Sequence, residues 1–309
     1  MSDAGRRPTI LDVANRAGVA VGTVSNVLNG TRPVSETRRR RVLDAAETLG
    51  FQPNSLAQGL RRQRSGLVGL CLPHSSSAYF ASMAEMFEAV VAKQGFELLQ
   101  VLTHQDKERE ERRIAALLAR QIDGLILVPS LEPDITLSRL DAARLPTILV
   151  DRSDPQQRFD SVTLDNRRAM RAIAEHLAKL GHRRLLFIVQ SLTVMTTQDR
   201  IAGLDDMLNT ESGIVAARVE EWPAQQWEYN ALLEGQMGRA APPTAIIAGN
   251  SNVALATIKA MRQLGIACPE GVSLAAFDDP AWSEIVTPGL TVVHQTLPGK
   301  ARHRFDRMM

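Results

Sequence analysis

The chain has 309 residues, of which 44% are hydrophobic, and its formal net charge at neutral pH is +2. That length allows two or three domains with sizeable cores. No apolar run is long enough to cross a bilayer, and the N-terminal segment MSDAGRRPT lacks the apolar stretch of a secretion signal, so we expect a cytoplasmic protein without a membrane partner.

The charge is unevenly distributed along the chain. Residues 1–64 contain eleven arginines, no lysine and five acidic residues, a balance of +6, whereas the remaining residues sum to −4. A basic N-terminal head on a mildly acidic body favours a polyanionic partner for the head alone.

The head begins with TILDVANRAGVAVGTVSNVLNG, residues 9–30, which predicts two short helices joined by a glycine turn. Thr9 followed by Asp12 is the signature of a capping box, and Gly18 ends the first helix because glycine adopts a left-handed conformation easily. The second helix, residues 21–28, stops at an Asn-Gly pair. Two helices at this spacing indicate a helix-turn-helix motif, although an ordinary helical hairpin has the same pattern.

A third helix follows in TRPVSETRRRRVLDAAETLG, with Ser35 as its predicted N-cap and Gly50 as its end. The run Arg38 to Arg41 surrounds its first turns. Arginine runs are usually a solvated face, but beside a helix-turn-helix in a basic segment this run favours contact with phosphates.

The head motifs DVANRAGV, TVSNVLN, VSETRRRRV and PNSLAQGL together resemble the lactose-repressor (LacI/GalR) family of bacterial transcriptional regulators, and the body is similar more loosely. The resemblance implies that residues 21–28 form the recognition helix in the major groove. It also implies a hinge that folds into a short helix only on operator DNA. In that hinge Asn54 would cap the helix, Ala57 would let two such helices approach, and Leu60 would enter the minor groove and kink the duplex.

The head departs from the family pattern where bases are read. Ala20 replaces the usual serine cap of the recognition helix, which should cost about 1 kcal/mol of helix stability. Val21 could contact a thymine methyl, Gly22 allows only a close backbone approach, and Asn26 suits adenine where many members carry arginine. Direct reading of bases should therefore be limited, with arginine and hinge contacts supplying much of the affinity. The predicted DNA-binding residues are Thr9, Val21, Gly22, Thr23, Ser25, Asn26, Asn29, Arg38, Asn54, Ala57 and Leu60.

Beyond residue 65 apolar, strand-like runs alternate with segments of helical periodicity. The predicted strands are residues 67–72, 96–101, 124–128, 147–151, 185–189, 244–249, 273–277 and 290–293, and the predicted helices are residues 80–94, 107–120, 167–180, 200–209 and 253–264. This alternation predicts parallel sheets covered on both faces. The only cysteines, Cys71 and Cys268, lie in apolar runs, so we expect buried free thiols and no disulfide or metal site.

These patterns, with the resemblance, predict an all-α helix-turn-helix DNA-binding domain (residues 1–52), a hinge (53–65) and an α/β two-lobed domain like the periplasmic binding proteins (66–309). In the family a longer segment follows the last strand, so the C-terminus is expected to be shortened. Apolar residues at helical spacing near the end predict a final docked helix from about Lys300.

Polar side chains follow several predicted strands, at the sheet edge where open parallel sheets bind ligands. Asp151 and Asp278 each end a strand, Asn250 follows another, and Arg200 is predicted to open a helix. Such groups suit sugar hydroxyls, and an aromatic face suits the C–H face of a sugar; helix capping and edge packing are the alternatives. Ser251 replaces an aspartate that is usual in the family. The predicted effector-binding residues are Pro73, Tyr79, Phe80, Asp151, Arg200, Trp222, Asn250, Asp278 and Gln295.

The predicted function is that of a DNA-binding regulator, a repressor, whose operator affinity is set by a metabolite bound between the lobes. A sugar or sugar acid is the first expectation for the effector, with a purine or nucleoside as the alternative. We expect a homodimer or a tetramer on a pseudo-palindromic operator, no cofactor and no enzymatic activity, because no nucleophile–base set, phosphate loop or metal spacing occurs. A solute-binding sensor and an enzyme on a doubly wound fold are the other classes considered.

Overall fold

The helix-turn-helix predicted from the opening residues is present in the computed structural model, which describes residues 8–30, 32–51, 64–210, 212–223 and 225–295. The chain divides into two compact units, Met1–Ser65 and Gly66–Met309. The hinge residues Asn54, Ala57 and Leu60 and the predicted helix from Lys300 lie outside the described residues.

The first unit contains three helices around a small apolar core. They are α1 (Ile10–Ala17), α2 (Val21–Asn29) and α3 (Glu36–Leu49). The capping box at the start of α1 is confirmed: Asp12 accepts from the backbone N–H of Thr9 at 2.7 Å, and the Asp12 N–H donates to the Thr9 hydroxyl. Gly18 ends α1 in the left-handed conformation, with φ at 63°. Local sequence signals therefore fix where α1 begins and ends.

One of the four clustered arginines has a structural partner inside the head. The Nη2 group of Arg41 donates to the carbonyl oxygen of Ala17 at 2.6 Å, at the C-terminal end of α1. A Cβ atom on Gly18 would lie 2.7 Å from the same Nη2 atom. Arg41 thus ties α3 to the turn between α1 and α2.

The second unit contains two lobes of the same architecture. The first lobe is a five-stranded parallel sheet in the order β2-β1-β3-β4-β5. Apolar clusters cover both of its faces. Its elements are β1 (Leu67–Leu72), α4 (Ala78–Lys93), β2 (Glu97–Leu102), α5 (Lys107–Leu118), β3 (Gly124–Leu127), α6 (Asp134–Ala142), β4 (Thr147–Val150) and β5 (Asp160–Val162).

The second lobe repeats this order as β7-β6-β8-β9-β10, again parallel and covered on both faces. Its elements are α7 (Asn166–Lys179), β6 (Arg184–Val189), α8 (Met195–Leu208), β7 (Ala216–Glu221), α9 (Gln226–Met237), β8 (Ala245–Ala248), α10 (Ser251–Gln263), β9 (Ser273–Phe277) and β10 (Thr291–Val293). The predicted fold class is confirmed.

The structure adds four elements to the predicted set and corrects two placements. The strands β5 and β7 and the helices α6 and α9 were not predicted. The two strands give a weak sequence signal, because β5 has three residues and β7 is an edge strand without a fully buried position. Arg200 lies inside α8, more than one turn after its start. Cys71 is buried, as expected, but Cys268 is only partly buried.

Candidate functional site

A cavity of about 700 Å³, counting the solvent at its mouth, lies between the two lobes of the second unit. Every strand that contributes to it does so at its carboxyl end, as expected for doubly wound sheets. Its lining residues are His74, Ser77, Tyr79, Phe80, Gln105, Asp151, Arg152, Val189, Gln190, Ser191, Val194, Thr196, Thr197, Arg200, Gly249, Asn250, Asn252, Asp278 and Gln295.

Arg200 is a buried cation of the second lobe, with 7% of its surface exposed. Its Nε donates to Asn166 Oδ1 at 2.7 Å, and its Nη1 donates to the carbonyl oxygen of Gly249 at 2.6 Å. The guanidinium carbon lies 3.8 Å from the centre of the Phe277 ring. Burial lowers the pKa of Arg200, and the carboxylate of Asp278 opposes that shift. These contacts hold the guanidinium rigidly beside the cavity.

Asp278 follows β9 and faces the cavity with 6% of its surface exposed. Its carboxylate accepts from the backbone N–H of Ser251 at 3.2 Å and from Gln295 Nε2 at 2.6 Å. Burial raises the pKa of the Asp278 carboxyl, while Arg200 is the largest influence that lowers it. The predicted residues Asp278, Arg200 and Gln295 are thus brought together.

Asp151 occupies the equivalent position in the first lobe, directly after β4. Asp151 and Asp278 both have left-handed backbone conformations, with φ at 66° and 71°, which non-glycine residues adopt rarely. Burial raises the pKa of the Asp151 carboxyl, against the effects of Arg152, Arg200 and a hydrogen bond from Tyr79. Strained residues of this kind cluster at binding sites, since the surrounding fold must hold them in place.

The remaining predicted effector residues divide into two groups. Phe80 and Asn250 line the cavity, and Asn250 also caps α10 by accepting from the Val253 N–H at 2.9 Å. Pro73 and Trp222 are not among the lining residues. Pro73 is buried after β1, and Trp222 packs against the apolar cluster of the second lobe, which is the edge packing considered as its alternative.

Sequence reasoning missed several cavity residues. His74, Gln105 and Arg152 belong to the first lobe, and Gln190 follows β6 in the second. All four follow a strand, so the rule used for Asp151 could have identified them. Asn166, which orients Arg200, had no sequence signal because the two residues are 34 positions apart.

The head presents one face of α2 to solvent. Val21 and Gly22 are exposed, and Thr23 and Asn26 are partly so. Arg38 is exposed on α3.

Three other side chains predicted to contact DNA form hydrogen bonds within the head. Ser25 is buried, and the Asn29 amide donates to the Ser25 carbonyl at 2.8 Å and to its hydroxyl at 3.2 Å. The Thr9 hydroxyl bonds Asp12. These three side chains have structural roles, and their contact with DNA stays a prediction.

The described part of the chain shows neither a metal site nor a membrane-spanning helix. There, no group of three or more His, Cys, Asp or Glu side chains is arranged to hold a metal ion. None of the helices described is long and apolar enough to cross a membrane.

Each of the two units contains a match to a known family model. Residues 9–54 match the family described as bacterial regulatory proteins, lacI family, and residues 174–309 match the periplasmic binding protein-like domain. The HTH-type transcriptional repressor PurR of Erwinia tasmaniensis is 31% identical, covering 93% of this chain and 85% of its own. The HTH-type transcriptional regulator DegA of Bacillus subtilis is 29% identical, covering 96% of this chain and 90% of its own.

Solved structures of transcriptional regulators have a similar fold. The lac repressor dimer bound to operator and the anti-inducer ONPF superposes with a TM-score of 0.84 at 25% identity, covering 98% of this chain and 92% of that one. A complex of the transcriptional regulator CelR with cellobiose superposes with a TM-score of 0.66 at 25% identity, covering 98% and 93%.

Proposed function

This chain belongs to the lacI family of bacterial regulatory proteins, and on that premise we propose that it represses transcription as a homodimer on a pseudo-palindromic operator. Its affinity for the operator falls or rises when a small polyhydroxylated metabolite binds between its lobes. The protein is a helix-turn-helix transcriptional regulator and not an enzyme. We place its action in the bacterial cytoplasm, where the DNA is.

The single observation that carries the effector site is the meeting of charged groups from both lobes in one cavity. Asp151 comes from the first lobe, and Asp278 and Arg200 come from the second. A ligand that bonds both lobes favours one arrangement of the lobes over another. A ligand can change DNA affinity only through such a difference, because binding both arrangements equally shifts nothing. The cellobiose complex of a related fold supports a sugar-like ligand.

On the DNA side, the proposal rests on the basic head and on the exposed face of α2. Val21, Gly22, Thr23 and Asn26 would lie in the major groove, and Arg38 would contact phosphate. None of these four α2 residues is an arginine, so none can form the bidentate arginine–guanine contact. We therefore expect modest discrimination between base sequences and a strong dependence of DNA affinity on salt concentration.

The direct test selects a site from random duplexes with the full-length protein and then measures mobility shifts with and without metabolites. We expect a palindromic site, bound by two protomers, whose affinity changes with at least one sugar-like compound. Binding without sequence preference, or a selected site insensitive to every metabolite of a broad panel, would contradict the corresponding half of the proposal.

We expect Leu60→Ala to weaken binding to the selected site far more than binding to random DNA. A leucine wedge stabilises a kinked duplex only where the sequence kinks easily, so its loss should cost roughly tenfold or more at the operator alone. Titrating the variant against both duplexes measures this ratio. Equal losses on the two would rule out the wedge.

We expect Ala20→Ser to stabilise the head and to strengthen operator binding. Ala20 is the N-cap of α2, has the extended conformation that a cap requires, and supplies no side-chain hydrogen bond. A serine there should contribute about 1 kcal/mol. Thermal unfolding and mobility shifts measure the two effects, with Ala20→Val as the control that cannot cap. A variant no more stable than wild type would show that this helix end needs no cap.

A further inference from the structure

The first-lobe end of the cleft contains a buried arginine, Arg152, that has one unpaired donor among the described residues. Arg152 is 6% exposed. Its Nη1 donates to the carbonyl oxygen of Pro129 at 2.7 Å, and its Nη2 reaches Gln105 Oε1 at 3.4 Å. Among the described residues its Nε has no acceptor, since Asp151 Oδ2 lies 3.7 Å away, too far for a hydrogen bond. A buried guanidinium has five N–H donors, so this one is under-satisfied.

A second donor group reaches the same end of the cavity. Helix α4 begins there, and its N-cap, Ser77, makes no side-chain hydrogen bond to it. Ser77, Tyr79 and Phe80 all line the cavity. The first N–H groups of a helix point out of its N-terminus and, with the helix dipole, favour an anion. Tyr79 links this helix end to Asp151, which stands beside Arg152.

The acidic groups nearby are already engaged by protein donors. Asp151 accepts from Tyr79, and Asp278 accepts from Ser251 and Gln295. Glu110, behind Arg152, accepts from the backbone N–H of Ser130 at 2.7 Å and from its hydroxyl at 3.0 Å. Within the described part of the chain, the donors without a protein partner at this end are the Nε of Arg152 and the first N–H groups of α4, whose N-cap side chain makes no hydrogen bond to them.

The loop that borders Arg152 adopts an unfavourable conformation. His104 and Gln105 are consecutive and left-handed, with φ at 56° and 60°. This turn holds the Gln105 side chain between Arg152 and His74, whose Nε2 lies 3.4 Å from Gln105 Nε2. Such strain is kept where a loop must place a side chain accurately.

We propose that the effector carries an acidic group, which binds between the guanidinium of Arg152 and the N-terminus of α4, while Arg200 and Asp278 bind its hydroxyl-bearing part. This inference rests on the proposed function and deepens it. The group is a carboxylate, as in a sugar acid, or a phosphoryl group, as in a sugar phosphate. Both bring the anionic oxygens that guanidinium and helix N–H groups bind through short, charge-assisted hydrogen bonds.

The test is calorimetric titration of the full-length protein with matched compounds. One set is D-glucose, D-gluconate and D-glucose 6-phosphate; another is D-galactose, D-galacturonate and D-galactose 1-phosphate; a third is D-fructose and D-fructose 1-phosphate. In at least one set an acidic member should bind roughly tenfold or more tightly than its neutral partner. Whether the sugar acid or the sugar phosphate binds more tightly identifies the acidic group as a carboxylate or a phosphoryl group.

Arg152→Met should reduce that preference to near unity, and Arg152→Lys should keep part of it, because the charge remains and the planar donors do not. Arg168→Met, on the exposed side of α7, is the matched control and should keep the full preference. If Arg152→Met fails to fold, the Lys variant and the wild-type comparison still decide the question.

Three outcomes overturn the acidic group or its location. The first is a neutral sugar that binds as tightly as its acidic relatives and changes operator binding, which leaves the proposed function intact. The second is no binding by any acidic member at millimolar concentrations while a palindromic operator is still selected. The third is the same preference for the acidic compound in the Arg152→Met and Arg168→Met variants, whether both retain it or both lose it. Failure to select any operator would instead reject the proposed function itself.

Discussion

The Arg200→Ala variant should still bind operator DNA and should no longer respond to the effector. Arg200 lies in the second unit, whereas the helices proposed to contact DNA belong to the first. Its guanidinium is held by Asn166, by Gly249 and against Phe277, so its remaining donors are fixed in direction for a ligand in the cleft. Losing a buried, charge-assisted contact costs about 2–5 kcal/mol, which corresponds to an effector affinity roughly 30-fold or more lower.

Titration calorimetry with the effector, and mobility shifts with and without it, separate the two properties. Because removing a buried cation also removes the charge that lowers the pKa of the Asp278 carboxyl, Asp278→Asn provides a second variant that preserves the shape of the side chain. It should lose effector response as well. Arg168→Ala is the exposed control and should behave as wild type. A normal effector response in both site variants would reject this assignment of the site.

The Gly203→Ala variant should be strongly destabilised. Gly203 lies in α8, and a Cβ atom there would be 2.3 Å from the carbonyl oxygen of Arg167, where α8 packs on the start of α7. Since the contact is with backbone, the helices must separate, and we expect the free energy of unfolding to fall by about 3 kcal/mol. Arg200 lies one turn earlier in α8, so effector affinity should fall too.

Gly235 provides a matched control within the same lobe. It also lies inside a helix, α9, but a Cβ atom there would meet no atom within 4 Å. Gly235→Ala should therefore raise the free energy of unfolding by about 0.5–1 kcal/mol, since alanine favours the helix. Denaturant unfolding should show that the free energy of unfolding falls in Gly203→Ala and rises in Gly235→Ala, each relative to wild type. If Gly203→Ala proves neutral, α7 and α8 do not pack at backbone contact.

The sequence alone was sufficient for the features that depend on neighbouring residues. Thr9 and Asp12 start α1, and Gly18 ends it, because capping and left-handed glycine are local properties. The central strands were predicted because strands buried on both faces are continuous apolar runs. Asp151 and Asp278 were predicted to face the cavity because they end such strands, and parallel strands bring their carboxyl ends to one edge of the sheet.

The tertiary structure decided whatever depends on partners distant in the chain. The edge strand β7 carries no continuous apolar signal, so only its pairing with β6 identifies it. Trp222 could be a ligand contact or packing, and only the position of the second-lobe core shows that it packs. The unpaired Nε of Arg152 and the close approach of Gly203 to Arg167 cannot be read from the neighbours of these residues in the sequence. Hydrogen-bond satisfaction and close packing depend on which distant segments meet, and the folded chain alone determines that.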